Sequence, residues 1–276
     1  MTLRRAFLAL LALGLILLGW SYWTAVSEPV VRRAEIALPG LAAPVRAVLI
    51  SDIHVAGPDM PPERLAGIVA QINALRPDVV LIAGDFIGDG RFATRVTAEE
   101  AVRPLAALRP RFGTIAVLGN HDYWNDPASV RDALARHGIR LLVDDAVAVG
   151  PLAVGGLDDD FTERADLPRT LARLRATPGA RLILSHSPDP FANLPADVPL
   201  MLAGHTHCGQ IRLPFLGAFT YESRHGSRFG CGRIDEGGKT LIVTAGLGTS
   251  VLPLRLGAVP DLWLLELRPV PAPPPR

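Results

Sequence analysis

No charged residue occurs between Ala6 and Val26. As a helix those 21 residues would run about 32 Å, against a bilayer hydrocarbon core of about 30 Å, so the pattern predicts a membrane-spanning segment. Trp20, Tyr22 and Trp23 gather at its far end, where amphipathic rings sit at headgroup level. A soluble helix of this length carries a polar face, and little besides Ser21 and Thr24 interrupts the apolar run here.

Residues 28–44 read as a linker with a short edge segment, and from Val45 the pattern changes to strands alternating with helices. Ala47–Ser51 and Val79–Ala83 are compact apolar runs of strand length. Between them Leu65, Ile68, Val69, Ile72 and Leu75 recur at helical spacing, after Pro61 and Pro62 and before Pro77. Thr97 with Glu100 forms a capping box that predicts a helix through Leu108, followed by a strand at Ile115–Leu118 and a helix from Asp126 to Gly138. After Leu142 strands dominate, at 147–149, 152–154, 182–184, 200–202, 241–244 and 262–267, with one helix near Leu167–Arg175. This order predicts a mixed-sheet α/β domain over residues 45–268. The proline-rich end, residues 269–276, predicts an unpacked, disordered tail.

Composition narrows the function. With 28 basic and 27 acidic residues the net charge is +1, which disfavours nucleic-acid partners, since phosphate contacts need a basic stripe. A hydrophobic content of 49% supports a large core, and two cysteines, Cys208 and Cys231, are too few for a disulfide scaffold. Arginines flank the apolar span on both sides, so their count does not orient it. Arg4-Arg5-Ala6-Phe7-Leu8 resembles a twin-arginine export signal and orients the domain outward. Ala25-Val26-Ser27 has the small residues of a cleavage site, while Pro29 and the length of the run favour an uncleaved anchor over residues 1–27. The expectation is a single-pass cell-membrane protein with its catalytic domain extracytoplasmic, where Cys208 and Cys231 would be free to pair.

The chemistry lies at the C-terminal ends of the strands. Asp52 and His54 leave the first as Ser51-Asp52-Ile53-His54, Gly84-Asp85 leaves the second, and Gly119-Asn120-His121-Asp122 leaves the third. His186 follows Leu184-Ser185, and Gly204-His205-Thr206-His207 follows Leu202-Ala203. Open α/β sheets place their sites at such ends. A mixed imidazole, carboxylate and amide set suits Mn²⁺, Fe or Zn²⁺ better than an all-oxygen Mg²⁺ or Ca²⁺ cage.

The order DxH, GD, GNHD, H, GHTH resembles that of the calcineurin-like metallophosphoesterase superfamily over about Val45–Leu267. The anchored N-terminus, Gly204-His205-Thr206-His207-Cys208-Gly209-Gln210 and Gly246-Leu247-Gly248-Thr249-Ser250 are similar to the bacterial YkuE/YaeI-type branch, which usually has a glycine in place of Cys208. The resemblance implies a four-layer αββα sandwich of two mixed sheets and two divalent cations, Mn²⁺ above all. Asp52, His54 and His207 would hold one cation and Asn120, His186 and His205 the other, with Asp85 bridging them. It further implies hydrolysis of a phosphodiester or pyrophosphate by a metal-bridging hydroxide. His121 would serve the leaving group, with Asp122 orienting its ring.

Other residues carry plainer readings: an acidic turn at Asp158-Asp159-Asp160, a surface histidine at His137, a solvated loop around His225, and a small residue in a tight turn at Cys208 rather than an extra ligand. The anchor points to membrane-associated or lipid-linked phosphoesters. The alternatives are a UDP-2,3-diacylglucosamine pyrophosphatase of lipid A synthesis, a phosphomonoesterase or phosphoprotein phosphatase, a nuclease, and a metal-binding module without turnover. Gly84-Asp85-Phe86-Ile87-Gly88-Asp89-Gly90 lacks the arginine of the GDxxDRG pattern of phosphoprotein phosphatases, and the near-zero charge argues against a nuclease.

Overall fold

The computed structural model of the protein describes residues 2–213 and 215–270. In chain order these form α1 (Thr2–Val26), β1 (Val30–Leu38), β2 (Val45–Ile50), α2 (Pro62–Ala74), β3 (Val79–Ala83), α3 (Ala98–Val102), β4 (Thr114–Val117), α4 (Asn120–Asn125), α5 (Pro127–Arg136) and β5 (Arg140–Leu141). There follow β6 (Asp145–Val149), β7 (Leu152–Gly156), α6 (Leu167–Ala176), β8 (Ala180–Leu184), β9 (Leu200–Ala203), β10 (Arg212–Leu213), β11 (Gly217–Ala218), β12 (Gly232–Glu236), β13 (Lys239–Val243) and β14 (Asp261–Pro269).

Two six-stranded mixed sheets stack face to face, in the orders β1-β14-β2-β3-β4-β5 and β12-β13-β9-β8-β7-β6. Between them lies a buried apolar layer that includes Leu49, Leu81 and Val117 from the first sheet and Leu184 and Leu202 from the second. The outer face of the first sheet is covered by α2, α3 and α5, and that of the second by α6. The near-continuous apolar composition of β2, β3, β8 and β9 follows from this, because each is buried on both faces. The result is the four-layer α/β sandwich expected from the motif order.

Local chemistry sets the helix limits. α2 begins at Pro62, whose missing N–H costs nothing at a helix start, and buries Leu65, Ile68, Val69 and Ile72. The Thr97 hydroxyl accepts from the Glu100 N–H while the Glu100 carboxylate accepts from the Thr97 N–H, closing the expected capping box. The α-helix it starts stops at Val102 instead of Leu108, and the chain continues as a 3₁₀ turn over Arg103–Ala107 because Pro104 cannot donate.

The edge segment expected within residues 28–44 takes up more of it than a short piece: Val30–Leu38 form a nine-residue edge strand parallel to β14, in register from Val30 against Asp261 to Leu38 against Pro269. Its charged residues disguised it: Ile36 and Leu38 turn inward, while Arg32, Arg33 and Glu35 remain on the solvent side of an edge, where charges discourage further pairing. Of the expected tail, Pro269 closes β14, and residues 271–276 lie outside the described residues.

Strands β2, β3 and β4 are mutually parallel, as are β7, β8, β9 and β13. The five segments singled out in the sequence therefore leave two sheets at one end of the sandwich and meet there.

Candidate functional site

At this end the backbone turns away sharply from each strand. Asp52, His54, Asp85, His205 and His207 all adopt positive φ, between 47° and 70°, a region costly for residues with a Cβ and concentrated at functional sites. Gly84 and Gly119 allow the turns to approach one another. A Cβ on Gly84 would lie 2.9 Å from His186 Nδ1, and one on Gly119 would collide with the Asp85 carboxylate.

The side chains converge in two groups. In the first, His54 Nε2 lies 3.2 Å from His207 Nε2, and His207 Nε2 lies 3.4 Å from Asp52 Oδ1. In the second, His186 Nε2 lies 3.0 Å from Asn120 Oδ1 and 3.1 Å from His205 Nδ1. The Asp85 Oδ2 atom joins them, 3.4 Å from His54 Nε2 and 3.3 Å from His186 Nε2. All seven residues expected as ligands are brought together here. Donors about 2.1 Å from a shared cation stand roughly 3.0 to 3.4 Å apart in octahedral or tetrahedral arrangements, so the spacings fit two cations sharing one carboxylate oxygen. Asp52, Asp85 and His186 form a further group of the same kind, as do His54, Asp85 and His121.

The electrostatics suit cations. Burial drives His54 and His205 down to about 3 and His207 well below its ordinary value, so these imidazoles are neutral, as ligation requires. Burial opposes charge on His186 as well, but Asp85 and Asp52 hold it well above its usual range. Burial would likewise raise Asp85, yet His186, His54 and His121 keep it well below the carboxylate range. Asp52 is pushed up to about 6 by burial and by the neighbouring Asp85 charge, against the pull of His186. A cation among these groups supplies the positive charge that the array otherwise takes from a proton on His186.

His121 stands beside the ligand groups, its ring edge-on to His54 at 4.7 Å between centroids. Its Nδ1 meets Asp89 Oδ1 at 2.5 Å, so Asp89, and not Asp122, holds the ring. Asp122 is instead fully buried beneath the site, where its carboxylate accepts from the backbone N–H groups of Asp85, Phe86 and Gly119. Asp122 thereby fixes the turn that carries Asp85. Burial lowers the His121 pKa, but the Asp89 hydrogen bond and the Asp85 charge more than offset this and raise it above the ordinary value.

A cleft of about 450 Å³ opens over the ligands, with walls that include Trp124, Phe161, Ile211, Phe219, Val251 and Leu252. Neither Trp124 nor Phe161 was singled out in the sequence. Their rings bridge His121 to His205 edge by edge, at centroid distances of 4.8, 6.1 and 4.5 Å. The Asp158–Asp160 turn supports this wall from behind: Asp158 accepts from the Tyr123 hydroxyl, Asp159 from the backbone N–H and hydroxyl of Thr162, and Asp160 pairs with Arg224. Cys208 contributes no ligand because it forms a disulfide with Cys231. Arg255 likewise carries no sequence signal. Fully buried, it donates to the carbonyls of Ala245, Gly246, Gly248 and Ala258 and sits 3.3 Å from His207 Nδ1.

Comparison with known proteins agrees with this geometry. Residues 45–209 match the calcineurin-like phosphoesterase family. The uncharacterized metallophosphoesterase Cj0846 of Campylobacter jejuni is 30% identical over 95% of this chain and 69% of its own length. The uncharacterized metallophosphoesterase YkuE of Bacillus subtilis is 32% identical over 75% of this chain and 73% of its own. A transmembrane protein with metallophosphoesterase domain from Danio rerio is 29% identical over 96% of this chain, which spans only 63% of that protein. Among the described residues one helix, Leu3–Val26, is long and apolar enough to cross a bilayer, and together with the transmembrane name of the Danio rerio relative it suggests a membrane protein. Fold, ligand array and kinship lead to one conclusion: the chain belongs to the calcineurin-like phosphoesterase family and is a metal-dependent phosphoric ester hydrolase.

Proposed function

We propose that the protein hydrolyses a phosphodiester or pyrophosphate bond of a membrane-associated, lipid-linked substrate, with two divalent cations held at the end of the sandwich. The observation that carries this reading is the Asp85 Oδ2 atom, placed between two sets of nitrogen and oxygen donors. Asp52, His54 and His207 would hold one cation and Asn120, His186 and His205 the other, with Asp85 available to both. Bound there, the cations supply Lewis acidity toward the phosphoryl oxygens and lower the pKa of water, and the nitrogen-rich donor set favours Mn²⁺, Fe or Zn²⁺.

The protein's own residues do the rest. His121, whose imidazolium form Asp89 favours, donates from Nε2 to the departing oxygen. Trp124, Phe161 and Phe219 exclude water on the cleft side and accommodate an apolar substituent of the ester. This apolar wall favours a lipid-linked substrate over a free phosphomonoester. The Cys208–Cys231 disulfide and the Arg4-Arg5-Ala6-Phe7-Leu8 start support an extracytoplasmic domain, since disulfides persist in oxidising compartments.

Full-length protein, stripped of metal and resupplied with Mn²⁺, is expected to hydrolyse diesters such as bis(4-nitrophenyl) phosphate in preference to 4-nitrophenyl phosphate. Absence of metal-dependent turnover on a panel of mono- and diesters would contradict the reading. Reporters fused after Arg276, one fluorescent only in the cytoplasm and one active only outside it, decide the topology.

A further inference from the structure

The anchor is not a loose tether. Most of α1 is exposed, yet Ser21, Thr24 and Ala25 are buried against the domain. The Arg255 N–H donates to the Ser21 carbonyl at 2.9 Å, the Tyr22 hydroxyl to the Pro58 carbonyl at 3.3 Å, and the Arg64 guanidinium to the Ser27 carbonyl at 2.7 Å. Ser21 belongs to the apolar run, which needs nearly all of its 21 residues to cross about 30 Å of hydrocarbon. A loop that touches Ser21 therefore lies at the bilayer surface, level with the exposed rings of Trp20 and Trp23.

That loop, residues 250–257, also forms part of the cleft. Ser250, Val251 and Leu252 line it, and the β10–β11 hairpin is fastened to the same segment. The Arg212 N–H donates to the Leu256 carbonyl at 2.7 Å and the Leu256 N–H to the Gln210 carbonyl at 3.0 Å. The Gln210 amide donates to the carbonyls of Ser250 and Leu252. Helix end, cleft edge and hairpin are thus one hydrogen-bonded unit. The hairpin carries a cluster that has no reason to face water: Phe215 is fully exposed, Leu216 and Phe219 are 79% exposed, and Val251 on the adjoining loop is 63% exposed. Contiguous apolar exposure on this scale marks a surface that is covered in use, and here it continues from a membrane-spanning helix.

We propose that the β10–β11 hairpin, with Phe215, Leu216 and Phe219, inserts beside α1 into the outer part of the bilayer, so that the cleft opens onto the acyl layer and receives a lipid phosphoester by its apolar tail without the lipid leaving the membrane. Phe219 and Val251, which belong both to the exposed cluster and to the cleft wall, form the entrance. The entrance half of this inference rests on the phosphoesterase reading above; the insertion half does not.

The two halves are tested separately on the full chain in phosphatidylethanolamine–phosphatidylglycerol vesicles. With a phospholipid carrying a diazirine in its acyl chain, irradiation and peptide mass spectrometry should place lipid adducts on residues 215–219 and 251 as well as on α1. Adducts on α1 with none on the hairpin overturn the insertion, as do crosslinks joining the hairpin to a second copy of the chain. For the entrance, the double variant Phe215→Ser, Leu216→Ser is assayed with a 4-nitrophenyl ester of phosphatidic acid in the vesicles and with soluble bis(4-nitrophenyl) phosphate. At least a tenfold fall in kcat/KM on the vesicle substrate, with the soluble diester unchanged, is expected. Equal effects on both, or none on either, overturn the entrance. If the wild-type protein with Mn²⁺ hydrolyses neither ester, the phosphoesterase reading and the entrance fall together, and the adduct map still decides the insertion.

Discussion

The floor and the rim of the cleft are built on opposite principles. At the floor Asp52, Asp85, Asn120 and His186 are buried at the ends of parallel strands, and every turn is fixed from beneath by the main chain or by Asp122. The rim is carried by two-residue strands and by a loop whose apolar side chains point outward. Positive φ occurs in both regions, at Asp52, His54 and Asp85 of the floor, where packing on all sides over-determines it, and at Phe215 and Val251 of the rim. The rim is held by hydrogen bonds among Gln210, Arg212, Leu256 and the end of α1, and not by burial. The contrast suggests a division of labour in which the floor supplies chemistry indifferent to the rest of the substrate and the rim determines where the substrate is met.

Substitutions of the metal ligands at the floor should therefore affect all esters alike, and only the acid beside them should distinguish leaving groups. The largest effect is expected from Asp85→Asn: a neutral amide cannot hold two dications together, so the purified variant should lose most of its metal and about 10³-fold or more of its turnover. Metal analysis alongside steady-state rates checks this, and two ions per chain with a wild-type rate would contradict it. His121→Ala should keep its metal while losing roughly 10²-fold in kcat on alkyl esters and much less on nitrophenyl esters, whose leaving groups need little protonation. Equal losses on the two classes would remove His121 from the leaving-group role.

Smaller effects follow from residues that act through others. Gly119→Ala places a methyl group against the Asp85 carboxylate and should cost about 10- to 100-fold in metal affinity with the fold retained, measurable by Mn²⁺ titration and circular dichroism. Asp89→Asn removes the hydrogen bond that raises His121. The His121 pKa then falls, so its acid form is lost at a lower pH and the alkaline limb of the kcat–pH profile should move downward, with about a tenfold loss in rate at neutral pH. An unmoved alkaline limb would separate Asp89 from the proton transfer.

The same contrast explains what was legible in the sequence. The floor was readable because each ligand lies within four residues of a strand end, so that Asp52-Ile53-His54 or His205-Thr206-His207 shows its chemistry as a contiguous word. Asp89 takes the place expected of Asp122, which sequence adjacency favoured as the partner of His121, whereas its position at the third residue of α4 turns its carboxylate back to the N–H groups beneath. Asp89 reaches His121 across a loop 32 residues away in the chain, and only its place in the GD-containing segment hinted at a function. Only a short edge segment was legible where β1 runs for nine residues, because its pairing with β14 joins the two ends of the domain and no local pattern encodes a partner more than 200 residues distant. Arg255, a lone arginine between leucines, carries no periodic signal. Its burial is explained by four carbonyls that only the folded chain brings together.

The central claim is that one carboxylate, Asp85, couples two cations within a single site. Electron paramagnetic resonance of the full-length protein reconstituted with Mn²⁺ tests it most directly, because two Mn²⁺ ions sharing a bridging oxygen ligand are spin-coupled and give a spectrum distinct from that of isolated ions. Two Mn²⁺ per chain and a coupled signal that disappears in Asp85→Asn are expected. A single Mn²⁺ per chain, or two that show only the uncoupled spectrum, would contradict it.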